Sequence, residues 1–387
     1  MDEFKGKLQE SIRKLERWVE EHDYKGYEPF DGLSSVLRPL TFGSLFLDRL
    51  LLQLIRQSPW NLRPLMGIKP LESTKGRGYM ASGYLTMYQL TQDATYKTKA
   101  ESCLDWLIRH KSPKFDKFSW ANHFDFASRS GRYTKDESII VWTVLIGYAF
   151  LSAYELLGDK KYLDVATSVC EWIMDLPRER TESGTCISYY AFNQSSIHNS
   201  NMLGAAMLAR TAKITGNPEY RQVAEAAMEY SCSRQLKDGA WYYGEAENQH
   251  WIDNFHTGYN LDSLKVYVES TADNRYLKNI ENGLKFFKFN FFEGNGRPKY
   301  YHNRTYPVDS QCAAQAIETL ARFSVDDPPS KDMAKKVAMW WIQNMQDPDG
   351  HFYYREYPLV KAKTPMLHWA QATTYKALTL LLSRLNG

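Results

Sequence analysis

Cysteine is scarce and scattered in this chain: five in 387 residues, at Cys103, Cys170, Cys186, Cys232 and Cys312. An odd number, far apart and set in apolar helical patterns, excludes a disulfide framework and reads as reduced core residues. No pair has the short spacing of a zinc knuckle and none has a nearby His, so no metal site is expected. Excess charge of one sign is also missing. The 48 Lys+Arg stand against 45 Asp+Glu, giving +3 without blocks, so the footprint of a nucleic-acid binder is absent. No run reaches the roughly 18 to 20 consecutive apolar residues of a membrane helix, so no membrane span is expected. The opening Met1-Asp2-Glu3-Phe4-Lys5 starts a charged helix, not the basic-then-apolar pattern of a signal peptide, and a cytoplasmic location is expected. Without a Ser/Gly-rich linker or a break in composition, residues 1–387 read as one domain, with 1–40 an N-terminal helical extension.

Hydrophobic residues at 43% and charged residues at 24% suffice for a sizeable core. Aromatics are the excess: 26 Tyr, 18 Phe and 11 Trp. Several sit in polar, loop-like segments where packing alone does not account for them, and large flat rings with polar handles suit stacking on a ligand.

A repeat organises the chain. The pattern Asp/Asn-x-x-Tyr recurs at Asp93–Tyr96, Asp159–Tyr162, Asn217–Tyr220 and Asp273–Tyr276. Each copy lies between two segments of helical apolar period, and its Asp or Asn suits the N-cap of the second helix. The units are helical hairpins. Asp238-Gly239 and Asp349-Gly350, with Arg297-Pro298 as a looser relative, mark turns into short extended pieces. First helices read near 43–57, 78–92, 138–157, 199–215, 256–271, 309–323 and 368–385, one more than six. Either the first lies outside a ring or the last closes it by pairing with an N-terminal helix. Connections of unequal length carrying the unusual residues favour a closed all-α toroid over an open solenoid, with short β-hairpins in the loops.

Six of the nine histidines, His123, His198, His250, His256, His302 and His368, fall just before or at the start of a first helix. In a toroid those starts converge on one mouth. Asp253, Asp309, His256 and Tyr301 are the catalytic candidates. Arg77, His198, Asn201, Trp251, His302, Gln311, His368 and Trp369 are the substrate-binding candidates, and no metal or other cofactor is expected. Arg77 offers a fixed cation to a carboxylate, and Trp251 and Trp369 offer faces for sugar rings. Of these, His198, Asn201, Asp253, His256, Tyr301, Asp309, Gln311 and Trp369 are expected to line one pocket.

These hairpins, with aromatic and acidic residues gathered before inner helices, resemble the six-hairpin glycosidase-like superfamily. Those (α/α)6 toroids include unsaturated uronyl hydrolases, other glycosidases, polysaccharide lyases and epimerases. Asp253-Asn254-Phe255-His256-Thr257-Gly258, followed by Leu261 and Leu264, resembles a helix start of the glucuronyl C5-epimerase C-terminal domain. Asn61–Ile68 resembles a segment of uncharacterised proteins of surface-polysaccharide gene clusters. The resemblance implies a saccharide substrate. Glycoside hydrolysis, which ordinarily needs two carboxyl groups, would use Asp253 and Asp309. The alternative is proton abstraction beside a uronate carboxylate, giving C5 epimerisation or lyase chemistry, with His256, Tyr301 and His302 as acids and bases and Arg77 or Arg304 neutralising the substrate. The N-acylglucosamine 2-epimerase toroids also use histidines at inner-helix starts. A non-catalytic glycan-binding protein on the same fold is the third reading.

Overall fold

The computed structural model describes residues 2–128 and 131–386. It opens with α1 (Asp2–Glu21) and, after short 3-10 turns, α2 (Leu45–Gln57). Five helix pairs come next: α3 (Thr74–Thr91) with α4 (Ala94–Arg109), α5 (Ile140–Leu157) with α6 (Lys160–Asp175), α7 (His198–Thr215) with α8 (Pro218–Cys232), α9 (Asn254–Thr271) with α10 (Leu277–Asn290), and α11 (Ser310–Phe323) with α12 (Pro328–Met345). The last helix is α13 (Thr373–Asn386).

The repeated Asp/Asn-x-x-Tyr is the link inside a pair. The first helix ends on a left-handed residue, Gln92, Gly158, Gly216 or Ala272, and the residue after it caps the returning segment. Asp93, Asp159 and Asn217 each accept the N–H two residues on at 2.9 Å, satisfying a helix donor that has no partner of its own. Asp273 caps a 3-10 turn that leads into α10. The motif tyrosines Tyr162, Tyr220 and Tyr276 are buried between the two helices.

The first helices α3, α5, α7, α9, α11 and α13 pack side by side in that order, and α13 returns to α3, so the ring closes. The second helices form the outer layer, and α1 packs on α13 as its outer partner. Both ways of resolving seven first helices into six therefore hold. α2 lies outside the ring, and α1, within the segment expected as an extension, is built into it. Among the described residues one helix, α5, is long and apolar enough to cross a membrane by composition; it is an inner helix between α3 and α7, with 61% of its length buried.

A second repeated device fixes the layers. Gly184, Gly239, Gly296 and Gly350 all have positive φ, between 91° and 110°. A Cβ on each would fall 2.3–2.6 Å from a backbone carbonyl of an outer helix: Ala226 in α8, Asn282 in α10, Lys336 in α12 and Lys14 in α1. The turn leaving one outer helix thus rests on the backbone of the next, and only glycine permits the approach. That Gly350 uses α1 as the others use α8, α10 and α12 marks α1 as the sixth outer helix.

After each of these glycines comes a tyrosine doublet: Tyr189-Tyr190, Tyr242-Tyr243, Tyr300-Tyr301 and Tyr353-Tyr354. One carbonyl of each doublet receives the first N–H of the preceding inner helix: Ile140 to Tyr189, His198 to Tyr243, Asn254 to Tyr300 and Ser310 to Tyr354, at 2.9–3.3 Å. Leu367 does the same to Tyr27 at 2.8 Å, and the Thr74 hydroxyl donates to the Ala121 carbonyl at 2.9 Å. This belt joins all six inner-helix starts at one end of the ring, so residues far apart in sequence share a mouth. Strands are short and antiparallel, in pairs such as Arg178–Thr181 with Gly184–Ile187 and in one three-stranded sheet of Val308–Asp309, Arg355–Glu356 and Lys361–Ala362. Trp120, Trp172, Trp241 and Trp341 are fully buried. Each removes roughly 150–250 Å² from water, worth about 4–6 kcal/mol.

Candidate active site

Two carboxylate–imidazole pairs stand at the mouth. In the first, Asp253 caps α9: its Oδ1 accepts the His256 N–H at 3.0 Å. Its Oδ2 accepts the His256 Nδ1–H at 2.6 Å and the Trp251 indole N–H at 2.9 Å. A carboxylate only accepts, so Nδ1 carries the proton and Nε2 is left as the basic nitrogen. The imidazole is partly exposed and lies against Tyr243 (4.6 Å) and Phe255 (3.9 Å).

The second pair joins the two ends of the chain. His368 lies in a π-helical turn, Leu367–Ala372, that leads into α13, and its Nδ1 bonds to Glu28 Oε2. Both side chains are buried. Burial lowers His368 to about 4 against the pull of Glu28, and Lys75 adds to the lowering, so the ring is neutral at neutral pH. Burial raises the Glu28 carboxyl, but His368 and Lys75 outweigh it and the net shift is downward. Lys75, in the first turn of α3, lies 4.1 Å above the Trp142 ring. Burial pulls it down to about 8 against the Glu28 carboxylate, which raises it. His123 adjoins the group and is also lowered, chiefly by burial. Among the described residues, neither Nε2 of the two paired imidazoles has a protein partner.

Aromatic side chains in contact link the two pairs. Phe255 packs on Trp369 at 5.7 Å, Trp369 meets His368 edge-on at 5.5 Å, and Tyr79 lies 6.4 Å from His368. Gln311 donates to the Tyr259 hydroxyl at 2.9 Å. Burial holds the hydroxyls of Tyr79, Tyr189, Tyr243 and Tyr259 above the usual phenol value, so they remain protonated donors. Trp142, Tyr189, Tyr243, Trp251 and Trp369 keep part of their surface accessible.

No known protein-family profile matches the chain, and no curated protein does. Solved structures do. The cellobiose 2-epimerase of Spirochaeta thermophila is 12% identical, with a TM-score of 0.63 over 81% of this chain and 86% of that one. A family 76 glycoside hydrolase from a bovine Bacteroides thetaiotaomicron strain is 13% identical, with a TM-score of 0.64 over 81% and 70%. The α-1,6-mannanase of a Salegentibacter species, solved with α-1,6-mannotriose, is 13% identical, with a TM-score of 0.60 over 82% and 90%. The fold these structures share with this chain is an (α/α)6 toroid.

At this toroid's mouth the structure brings together Asp253, His256, Trp251, Tyr301, Asp309, Gln311, His368 and Trp369. Tyr301 bridges Asp253 through the backbone, and Arg304 covers its ring at 4.2 Å. Asp309 is fully buried: Oδ1 accepts the Gln311 N–H and the Trp369 indole N–H, and Oδ2 accepts Arg355 Nε. Four expected members do not reach the lumen. Asn201 bonds the Ala227 carbonyl and Ser231 in α8, and His198 bonds Ser231 and Glu245, so both face their own outer helix. Arg77 turns to Glu72, Tyr24 and the Trp106 ring of α4. His302 tucks under the Ile252 carbonyl at 3.3 Å, beside Phe286 of α10. Sequence reasoning missed Glu28, Lys75 and Trp142, and also the tyrosine doublets, whose recurrence before inner helices was a usable signal.

Proposed function

We propose that the protein is a carbohydrate-active enzyme that epimerises a saccharide by moving a proton at carbon. The observation that carries this reading is the matched pair of dyads, Asp253–His256 and Glu28–His368, each with Nδ1 held by a carboxylate and Nε2 unpartnered. Their imidazoles come from the first turn of α9 and from the π-helical turn that leads into α13, helices separated in the ring by α11. Epimerisation needs one group to take a proton from one face of a carbon beside a carbonyl and another to return one to the opposite face. Two imidazoles fit that need when one enters each turnover as the imidazolium: the neutral ring takes the proton at Nε2, and the other, protonated beside its carboxylate, returns its Nε2 proton to the opposite face. The negative charge that develops on the sugar oxygen would be met by the Lys75 ammonium and the tyrosine hydroxyls, while Trp251 and Trp369 stack on the sugar. The likeness in fold to cellobiose 2-epimerases supports the reading.

Hydrolysis by Asp253 and Asp309 is weaker on the same geometry. Asp253 is 2% exposed and Asp309 fully buried, and both oxygens of each already accept protein donors. Neither offers an acidic proton to a leaving group. A related mannanase is inactive with two consecutive aspartates changed to Asn. Here the one Asp-Asp pair, Asp326-Asp327, lies at the turn from α11 to α12, away from the mouth, and Asp327 caps α12.

The test is incubation in D2O with a panel of reducing mono- and disaccharides and uronides, followed by NMR. Deuterium at the carbon beside the carbonyl, with the epimer formed, is the expected result, lost in His256→Asn and in His368→Asn. Release of a smaller sugar without deuterium at carbon would restore the hydrolase reading.

A further inference from the structure

Most of the exposed large apolar side chains of the described residues fall in one segment, Val36 to Leu71. Phe42 is 86% exposed, Phe46 69%, Trp60 72% and Leu65 85%. On α2, Asp48, Leu52 and Ile55 face inward while Phe46, Leu50 and Leu54 form an outward stripe at four-residue spacing. A helix apolar on both faces is one whose outer face is also to be covered. The segment is one built surface and not a loose loop. Arg63 pairs with Asp31 at 2.9 Å, the Val36 N–H donates to Met66 O at 3.0 Å, and Thr41 donates to Asp48 at 2.7 Å.

Its charge says what covers it. From Gly32 to Leu71 Arg49, Arg56 and Lys69 have no carboxylate partner among the described residues, while Arg38 pairs with Asp125, Arg63 is buried against Asp31, and the one acid, Asp48, is buried and paired with Arg132. The surface is therefore apolar with a cationic excess from Arg49, Arg56 and Lys69. A symmetric second copy would bring these cations against their own counterparts. An anionic bilayer surface instead accepts apolar side chains at the level of its headgroups and attracts the arginines and lysine around them. Trp60 suits that boundary.

We propose that this face binds anionic phospholipid membranes peripherally. The carboxyl end of α2 also borders the mouth: Arg56 lies 4.4 Å over Phe30, Phe30 packs on Trp369, and Arg355 donates to Gln57. Docking thus sets the mouth beside the lipid surface.

The experiment is co-sedimentation of the full chain with phosphatidylcholine vesicles with and without phosphatidylglycerol, at low and high salt. Binding to the anionic vesicles alone, weakened by salt, is expected. It should fall at least about tenfold in a Phe42→Ser, Phe46→Ser, Leu54→Ser variant and also in Arg49→Glu, Lys69→Glu, with thermal unfolding unchanged in both. A serine variant that binds like the parent overturns the proposal. So does a chain that ignores vesicles but shows concentration-dependent self-association abolished by the same serines, which would make the face a contact between copies.

Discussion

Replacing Asp253 by Asn tests whether the dyad or the carboxylate itself does the chemistry. The carboxylate accepts three donors: the His256 backbone N–H at 3.0 Å, His256 Nδ1–H at 2.6 Å and Trp251 Nε1–H at 2.9 Å. Asparagine can keep the first, because its carbonyl oxygen still caps α9. Its amide NH2 then occupies the place of Oδ2 and faces two donors. The imidazole can answer only by moving its proton to Nε2, which turns the basic nitrogen into a donor, and the indole N–H is left unpaired. The indole bond is lost and the imidazole bond is exchanged for a neutral one, which together cost about 2–4 kcal/mol of stability. The wrong tautomer costs about three to four orders of magnitude in kcat, with KM little changed. The assay is the rate of deuterium incorporation from D2O, with far-UV circular dichroism and urea unfolding to confirm the fold. A variant within about threefold of the parent kcat would refute the tautomer argument, because general acid–base catalysis is worth at least about a hundredfold.

Lys75 is lowered to about 8. kcat/KM should therefore fall as the ammonium deprotonates above that pH, and Lys75→Arg should move the limb upward; a limb left in place would remove Lys75 from the reaction. Gly350→Ala puts a Cβ 2.4 Å from the Lys14 carbonyl at a φ of +110°, and should cost about 3 kcal/mol or more in urea unfolding. Gly158→Ala, at +74° with open space, should cost about 1 kcal/mol; equal losses would refute the packing argument. His368 and Glu28 both hold folded values below their ordinary ones. The folded chain thus binds fewer protons than the unfolded one, and the stabilisation present above about pH 6.5 should decline toward pH 4. The decline should approach about 1.4 kcal/mol per pH unit for each proton taken up. Urea midpoints that do not move between pH 7 and 5 would refute it.

The hairpins were legible because their links are local: an Asp or Asn cap and a tyrosine within four residues. The partner of α13 was legible only as one of two alternatives, from the count of seven first helices, since α1 lies at the other end of the chain and no short-range pattern records their contact. Lys75 was missed for a related reason. Gly76 and Gly78 weaken the helical signal there, yet a Cβ on Gly76 would meet Leu367 at 2.9 Å and one on Gly78 would meet Ile146 at 2.8 Å. Close packing between inner helices requires both, so α3 begins four residues before its propensity suggests. His198 and Asn201 were assigned to the mouth by position along the helix. Position along the axis fixes the end of the ring, while rotation about it, roughly 100° per residue, fixes lumen or outer layer. His198 and His256 both open inner helices and face different sides.

The same geometry explains why the acids at this mouth are poor candidates for acid catalysis. In a toroid every inner helix starts at the mouth, so the mouth collects the backbone N–H groups that lack helical partners. Short acidic side chains at the cap position satisfy them, as Asp253 does for His256 N–H and Asp309 for Gln311 N–H. A longer side chain two or three residues into the helix escapes this demand and extends past the cap toward the lumen, with the cap carboxylate behind it as an orienting acceptor. His256 stands in that relation to Asp253. His368 reaches the same relation by another route, through a π-helical turn and a carboxylate lent by the loop after α1. Of the residues gathered at the mouth, the imidazoles are the ones whose reactive atoms remain free, and the chemistry is set by which atoms are free more than by which residue types are present.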